Sequence, residues 1–186
     1  MRLATCLGLI YLVSEVLLIV ARHARQSAGS TKDAGSLRVL WVVILASISL
    51  GVNLSRRWPV AVLPHQHLFA GLGTAIFIAG LILRWYSIIR LGRFFTVNVA
   101  IAKDHELIES GPYRWVRHPS YTGALLAFLG FGLSLGNWLA LLIIIVPIFF
   151  AFAYRMNVEE RALMGALGDR YVSYARRTKR LLPFIY

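Results

Sequence analysis

Residues 120–154 read SYTGALLAFLGFGLSLGNWLALLIIIVPIFFAFAY, two apolar runs with only Gly136-Asn137 between them. A helix that crosses a bilayer needs about 20 mostly apolar residues, within a range of about 17 to 25. The run Ser120–Leu135 is a little short and Trp138–Tyr154 just reaches that range. A two-residue link forces the pair into an antiparallel helical hairpin. Working outward, three further segments qualify or nearly do: Leu3–Ala21, Leu37–Leu54 and His67–Ile89. The fold class expected is all-α: a polytopic integral membrane protein with about five transmembrane helices. Spans four and five form its hairpin, and its C-terminal tail is cytoplasmic.

Composition agrees. Of 186 residues, 58% are hydrophobic and 15% charged, and the mean hydropathy is +0.67. A soluble core does not hide that apolar share, whereas a bilayer does. The 20 Lys+Arg outnumber the 8 Asp+Glu, which alone suggests nucleic acid. The charges sit at the ends of apolar runs, however, with no basic stripe interleaved with aromatics, so nucleic-acid binding is not expected. Cys6 is the single cysteine, which allows no internal disulfide and reads as a packing residue. The first span has only Arg2 before it, a charged flank from Arg22 to Arg25 after it and no small-residue cleavage site, so it reads as a retained helix.

Lys and Arg orient the spans. One side carries Arg22, Arg25, Lys32 and Arg38, then Arg90, Arg93, Lys103, Arg114 and Arg117, then Arg155, Arg161, Arg170, Arg176, Arg177, Lys179 and Arg180. The other side carries Arg2, Arg56 and Arg57, and Arg84 falls within the third span. That is 16 against 3. The N-terminus is expected outside and the C-terminus in the cytoplasm. No repeat or linker marks a second domain. Residues 1–91 read as a scaffold of three spans, residues 92–186 as the half that carries chemistry, and residues 26–36 as a plain polar loop.

Two polar clusters stand out. The loop from Gly92 to Pro119 is too long and polar for a mere connector. Pro119 suits the first helical position, where its missing N–H would be unpaired anyway, and it pushes His118 out of helical geometry. The amides of the next turn then form a helix N-terminus that favours carboxylate or phosphate. The plainer reading is a helix cap with Tyr113, Trp115 and Tyr121 in the aromatic belt. After the fifth span come Arg155 and Glu159-Glu160. Arg155 and Glu159 are four apart and share a helix face, which reads either as a surface ion pair or as one wall of a pocket facing His118. Glu15 and Arg84 lie at membrane depth, where charge is a functional hypothesis by default; pairing across helices is the structural alternative, and the one favoured. His65 and His67 have no acidic or Cys partner nearby, so a metal site is not expected. No P-loop, His-Glu-x-x-His or strand-borne Gly-x-Gly-x-x-Gly motif is present.

From about Phe94 to Tyr186 the chain resembles the isoprenylcysteine carboxyl methyltransferases, and looks like a compact prokaryotic member. The matching stretches are His105-Glu106-Leu107-Ile108, Gly111-Pro112-Tyr113, Arg117-His118-Pro119-Ser120-Tyr121-Thr122-Gly123 and Phe149-Phe150. Arg155 with Glu159-Glu160, Tyr171 with Tyr174, and Leu182-Pro183-Phe184-Ile185 complete the set. The resemblance implies methyl transfer from S-adenosyl-L-methionine, leaving S-adenosyl-L-homocysteine, to the C-terminal carboxylate of a prenylated cysteine or similar lipophilic acceptor. The acceptor would enter from the bilayer, among membrane lipids. By position, cofactor contacts fall on His105, Glu106, Leu107, Ile108, Tyr113, His118, Pro119, Ser120, Tyr121 and Glu159. The substrate-facing catalytic arginine falls on Arg155, and no metal is implied. A carboxylate with an ordinary pKa near about 4 is already ionised at neutral pH, so no general base is required. The residues 117–123 and the Leu-Pro-Phe-Ile-Tyr ending also resemble membrane NADPH-dependent sterol-type reductases. Those carry an acidic residue where this chain has Ala124. A phospholipid N-methyltransferase and a non-enzymatic membrane subunit are the other readings.

Overall fold

The structure, a computed structural model, describes residues 2–23, 35–58, 61–95, 107–183 and 186. Its regular elements among these residues are helices: α1 (Arg2–His23), α2 (Gly35–Arg57), α3 (Gln66–Leu91), α4 (Pro119–Ser134), α5 (Trp138–Leu167) and α6 (Asp169–Arg177). Short 3-10 turns cover Gly92–Phe94 and Gly111–Arg114. By length and composition α2, α3 and α5 are apolar enough to cross a membrane, and α1 contributes a shorter apolar stretch, Leu3–Leu18. The 16 residues of α4 rise about 24 Å, less than the roughly 30 Å of a hydrocarbon core.

The expected hairpin is present. α4 begins at Pro119, with His118 outside helical geometry at φ −125°, ψ 56°. Gly136 turns the chain at φ +65°, a conformation open to glycine. Asn137 then caps α5 by accepting from the Ala140 N–H at 3.0 Å and donates to the Trp58 carbonyl at 3.1 Å. The α5 helix runs on well past Tyr154 to Leu167, so Arg155, Glu159 and Glu160 stand on a continuous helix.

Helices α3 and α4 lie antiparallel along a seam of glycines. A Cβ on Gly80 would fall 2.5 Å from the Ala127 nitrogen, and one on Gly123 2.5 Å from the Arg84 nitrogen. Gly73 and Gly130 meet in the same way further along. Small residues let backbones approach closely where the bilayer supplies no hydrophobic force between helices. α2 packs along α5, with Gly51 against Ile144. Tyr11, Ile44, Phe77, Phe128, Ile144 and Phe152 fill the centre, while Leu9, Val42, Ile82, Ile89 and Phe150 face outward. Cys6 belongs to that outer surface and is exposed, not the packing residue its sequence context suggests.

The start of α2 (Ser36) meets Arg155 of α5, Tyr113 meets Ser87 near the end of α3, and His118 before α4 meets Glu160. These polar residues therefore gather at one end of the bundle. Ser36 corrects the sequence reading: assigned to a plain polar loop, it is buried in the first turn of α2.

Candidate functional site at the polar end of the bundle

Glu160 organises this end. It is buried, and its Oε1 accepts from Arg117 Nε at 2.8 Å and lies 3.1 Å from His118 Nε2. Arg180 Nη2 donates to its Oε2 at 2.7 Å. Burial pushes the Glu160 carboxyl up, but the hydrogen bonds from His118, Arg117 and Arg180 outweigh it and hold it at about 2. Arg117 also donates through Nη1 to the carbonyls of Ala175, at 2.9 Å, and Thr178. Backbone bonds run alongside, from Arg117 N–H to Lys179 O at 2.7 Å and from His118 N–H to Arg180 O at 3.0 Å. The Tyr174 hydroxyl donates to the Tyr113 carbonyl at 2.7 Å. The tail is thereby fastened beneath the α4 entry.

Glu159 has a different setting. Its side chain is 34% exposed, and its Oε2 accepts from the Tyr121 hydroxyl at 2.9 Å. The adjacent glutamates thus divide the labour: Glu160 holds the tail and Glu159 faces outward. The sequence reading put a cofactor contact on Glu159 and gave Glu160 no role of its own.

The Arg155 guanidinium is buried and donates to Ser36 Oγ at 2.7 Å. It also neighbours the Tyr121 hydroxyl, so Tyr121 stands between Arg155 and Glu159. A cavity of about 50 Å³ opens here, lined by Arg155, Tyr121, Ser120, Arg84, Glu15 and Tyr11, with Leu40, Ile44 and Phe152 among its apolar walls. Arg84 grips Glu15 in a two-point pair, Nε to Oε1 at 2.8 Å and Nη2 to Oε2 at 2.9 Å, and reaches the Ser120 carbonyl at 3.3 Å. The two intramembrane charges therefore do pair across helices, but on the cavity wall.

Of the residues singled out from sequence, Tyr113, His118, Pro119, Ser120, Tyr121, Arg155 and Glu159 gather at this end. Leu107 and Ile108 are half-buried. His105 and Glu106 lie outside the described residues. The α4 entry offers fewer amides than its sequence suggests. His118 N–H bonds Arg180 O, Pro119 has none, and the Tyr121 and Thr122 N–H groups bond the His118 carbonyl. That leaves Ser120 N–H as the amide of this turn not engaged by the described residues. Sequence reasoning missed Ser36, which no motif marks, and the roles of Arg117, quoted there only as part of a matching stretch, and Arg180, visible there only as one more basic residue.

The fit to S-adenosylmethionine rests on this donor set. A partly exposed carboxylate, an open amide and flanking aromatic rings suit an amino and ribose-bearing ligand. The Tyr171 hydroxyl is buried and without a partner among the described residues.

Comparison with known proteins follows the same lines. Residues 72–165 match the model of the isoprenylcysteine carboxyl methyltransferase (ICMT) family. Protein-S-isoprenylcysteine O-methyltransferase B of Arabidopsis thaliana is 29% identical over 180 residues, covering 92% of this chain and 87% of its own. The A form from the same plant is 32% identical over 143 residues, 76% of this chain and 68% of its own. The Schizosaccharomyces pombe protein-S-isoprenylcysteine O-methyltransferase is 34% identical over 108 residues, of which this chain spans 46%. A solved structure titled as the eukaryotic intramembrane Ras methyltransferase ICMT superposes with a TM-score of 0.65 at 27% identity, over 77% of this chain and 52% of that one.

Proposed function

The chain belongs to the isoprenylcysteine carboxyl methyltransferase family and is an enzyme of the protein-S-isoprenylcysteine O-methyltransferase type; on that premise we propose that it methylates the C-terminal carboxylate of a prenylated cysteine, or a similar lipophilic acceptor, at the membrane interface. The observation that carries the reading is Arg155, a buried guanidinium on the wall of a cavity that combines apolar side chains with Tyr11, Ser120, Tyr121 and the mutually paired Glu15 and Arg84. Its planar fork suits a carboxylate, a task a lysine performs less well. Ser36 orients that fork from α2. Leu40, Ile44 and Phe152 exclude water from the nucleophile's side.

S-adenosylmethionine, when bound, supplies a methyl group on a sulfonium, so the carboxylate forms its O–C bond as the C–S bond breaks and no proton need move. Glu159, Tyr121 and the Ser120 amide are the groups of the described residues that would hold it, with Tyr113, His118, Pro119, Leu107 and Ile108 around them. His105 and Glu106 complete the set implied by the resemblance. The chain's task is to align and desolvate, since an ionised carboxylate requires no general base.

The topology that serves this chemistry has five spans, with the N-terminus outside and the C-terminus cytoplasmic. The gathering of Ser36, Tyr113, His118 and Arg155 at one end supports it, as does the excess of Lys and Arg there. Residues 92–186 form the catalytic half. Residues 1–91 are a scaffold that also lends Glu15 and Arg84 to the cavity wall and Ser36 as the partner of Arg155. Isothermal titration of purified protein with S-adenosylhomocysteine and, separately, NADPH tests the cofactor. Heat with the first alone is expected, and heat with NADPH alone would overturn the reading.

A further inference from the structure

Ile78, Ile82, Tyr86 and Arg90 follow one another at four-residue spacing along a ridge of α3, and all four are exposed. The apolar ridge that faces lipid therefore ends on a ring and a cation. Arg90 Nε donates to the Tyr86 hydroxyl at 3.3 Å, and its Cζ lies 5.6 Å from the ring centroid. The turn Gly111–Arg114 is fastened to the same corner. The Tyr113 hydroxyl donates to the Ser87 carbonyl at 3.2 Å, and a Cβ on Gly111 would meet the Tyr86 hydroxyl at 3.4 Å and Arg90 Nε at 3.6 Å. This brings up Arg114, exposed, with its Cζ 5.2 Å from the ring centroid of the exposed Trp115. Lys179 joins them, since its N–H donates to the Trp115 carbonyl at 3.3 Å and its side chain is exposed.

Arg90, Arg114 and Lys179 make no ion pair with a carboxylate among the described residues. Glu109, the acidic residue nearest to Gly111 in sequence, is taken by Arg177. The patch therefore keeps its positive charge. Guanidinium forks match phosphate oxygens, and Trp and Tyr rings settle at the headgroup level of a bilayer. A soluble anion would use the cations alone, whereas a phospholipid uses the cations and the apolar ridge that leads to them. Uncompensated cations favour a headgroup of net negative charge over one whose own ammonium cancels its phosphate.

We propose that this corner binds one anionic phospholipid, its phosphate meeting Arg90, Arg114 and Lys179 and its acyl chain lying along Ile82 and Ile78. The site is separate from the cavity at Arg155 and does not depend on the methyl-transfer reading.

Native mass spectrometry of the full chain, released from micelles holding equal phosphatidylglycerol and phosphatidylcholine, reads the preference. Wild type is expected to retain phosphatidylglycerol at least about tenfold over phosphatidylcholine, and Arg90→Gln with Arg114→Gln to fall within about twofold of parity. Arg90→Lys with Arg114→Lys keeps the charge and should stay selective. Arg56→Gln with Arg57→Gln, exposed at the end of α2, is the control and should match wild type. Equal retention of the two lipids by wild type overturns the proposal. Equal loss in both glutamine pairs overturns it in favour of diffuse charge. If the Arg90 and Arg114 glutamine pair does not fold, the lysine pair decides: folded and selective supports the site, folded and unselective overturns it. Failure of both pairs to fold overturns it in favour of structural arginines.

Discussion

Replacing Glu160 by Gln tests the tail fastening. The carboxylate is buried and meets Arg117, His118 and Arg180 at 2.7 to 3.1 Å. Removing one charged partner from a buried ionic cluster costs about 3–5 kcal/mol, mostly through the charges left behind. Water reaches Arg180, whose side chain is 25% exposed, so the expected loss is at the lower end, about 3 kcal/mol. For a chain of this size that corresponds to roughly 6–12 °C in melting temperature. The local signature is more telling than the melting point. Arg176, Arg177 and Lys179 are exposed sites for trypsin, and Glu160→Gln should speed cleavage there before the rest of the chain is attacked. Glu159→Gln, which disturbs one hydrogen bond at a partly exposed site, should cost about 1 kcal/mol or less and leave the tail protected. Equal tail cleavage in wild type and Glu160→Gln would refute the reasoning. The pH dependence has a definite sign. A carboxyl lowered from 4.5 to about 2 on folding adds stability that is full above 4.5 and lost as pH falls through 2. Tail protection in wild type should therefore be flat from about pH 7 to pH 5 and fade only below, tracked by a protease active in acid.

Further variants probe the rest. Gly80→Val and Gly123→Val drive a side chain into backbone 2.5 Å away; each should cost at least about 1–3 kcal/mol and lower the yield of monodisperse protein in detergent. Gly165→Ala, with open space around its Cβ, should instead gain up to about 1 kcal/mol. Glu15→Gln strands Arg84 beside the cavity and should lose about 3–5 kcal/mol, whereas Glu15→Leu with Arg84→Leu should recover much of the melting temperature while activity stays low. Arg155→Lys should lower kcat/KM for a prenylcysteine acceptor at least about tenfold with S-adenosylhomocysteine affinity kept; unchanged methylation would remove the clamp.

Much of the helix framework was legible because its signals are local. Gly136-Asn137 between two apolar runs specifies a hairpin, and Pro119 after His118 specifies a helix start. Helix past Tyr154 was legible in the four-residue spacing of Arg155 and Glu159, but its extent to Leu167 was not, since charge there marks the end of a membrane segment and not the end of a helix. The glycine seam of Gly73, Gly80, Gly123 and Gly130 was present in the sequence, yet its meaning depends on which helix each one faces. Partnerships across the chain were hidden for the same reason. Nothing in the sequence near Ser36 points to Arg155, 119 residues away, and nothing gives Glu160 its role until Arg117 and Arg180 are placed around it. Arg84 and Glu15 could be nominated as a pair because charge at membrane depth demands a partner; that they line the cavity with Arg155 could not be foreseen.

The central claim, methyl transfer to a lipid-borne carboxylate, is tested most directly by incubating the purified protein in detergent with methyl-labelled S-adenosylmethionine and a prenylated cysteine analogue. The account predicts label in the analogue, released as methanol by mild base and absent in Arg155→Ala. Label that resists base, or equal labelling by Arg155→Ala, would contradict it.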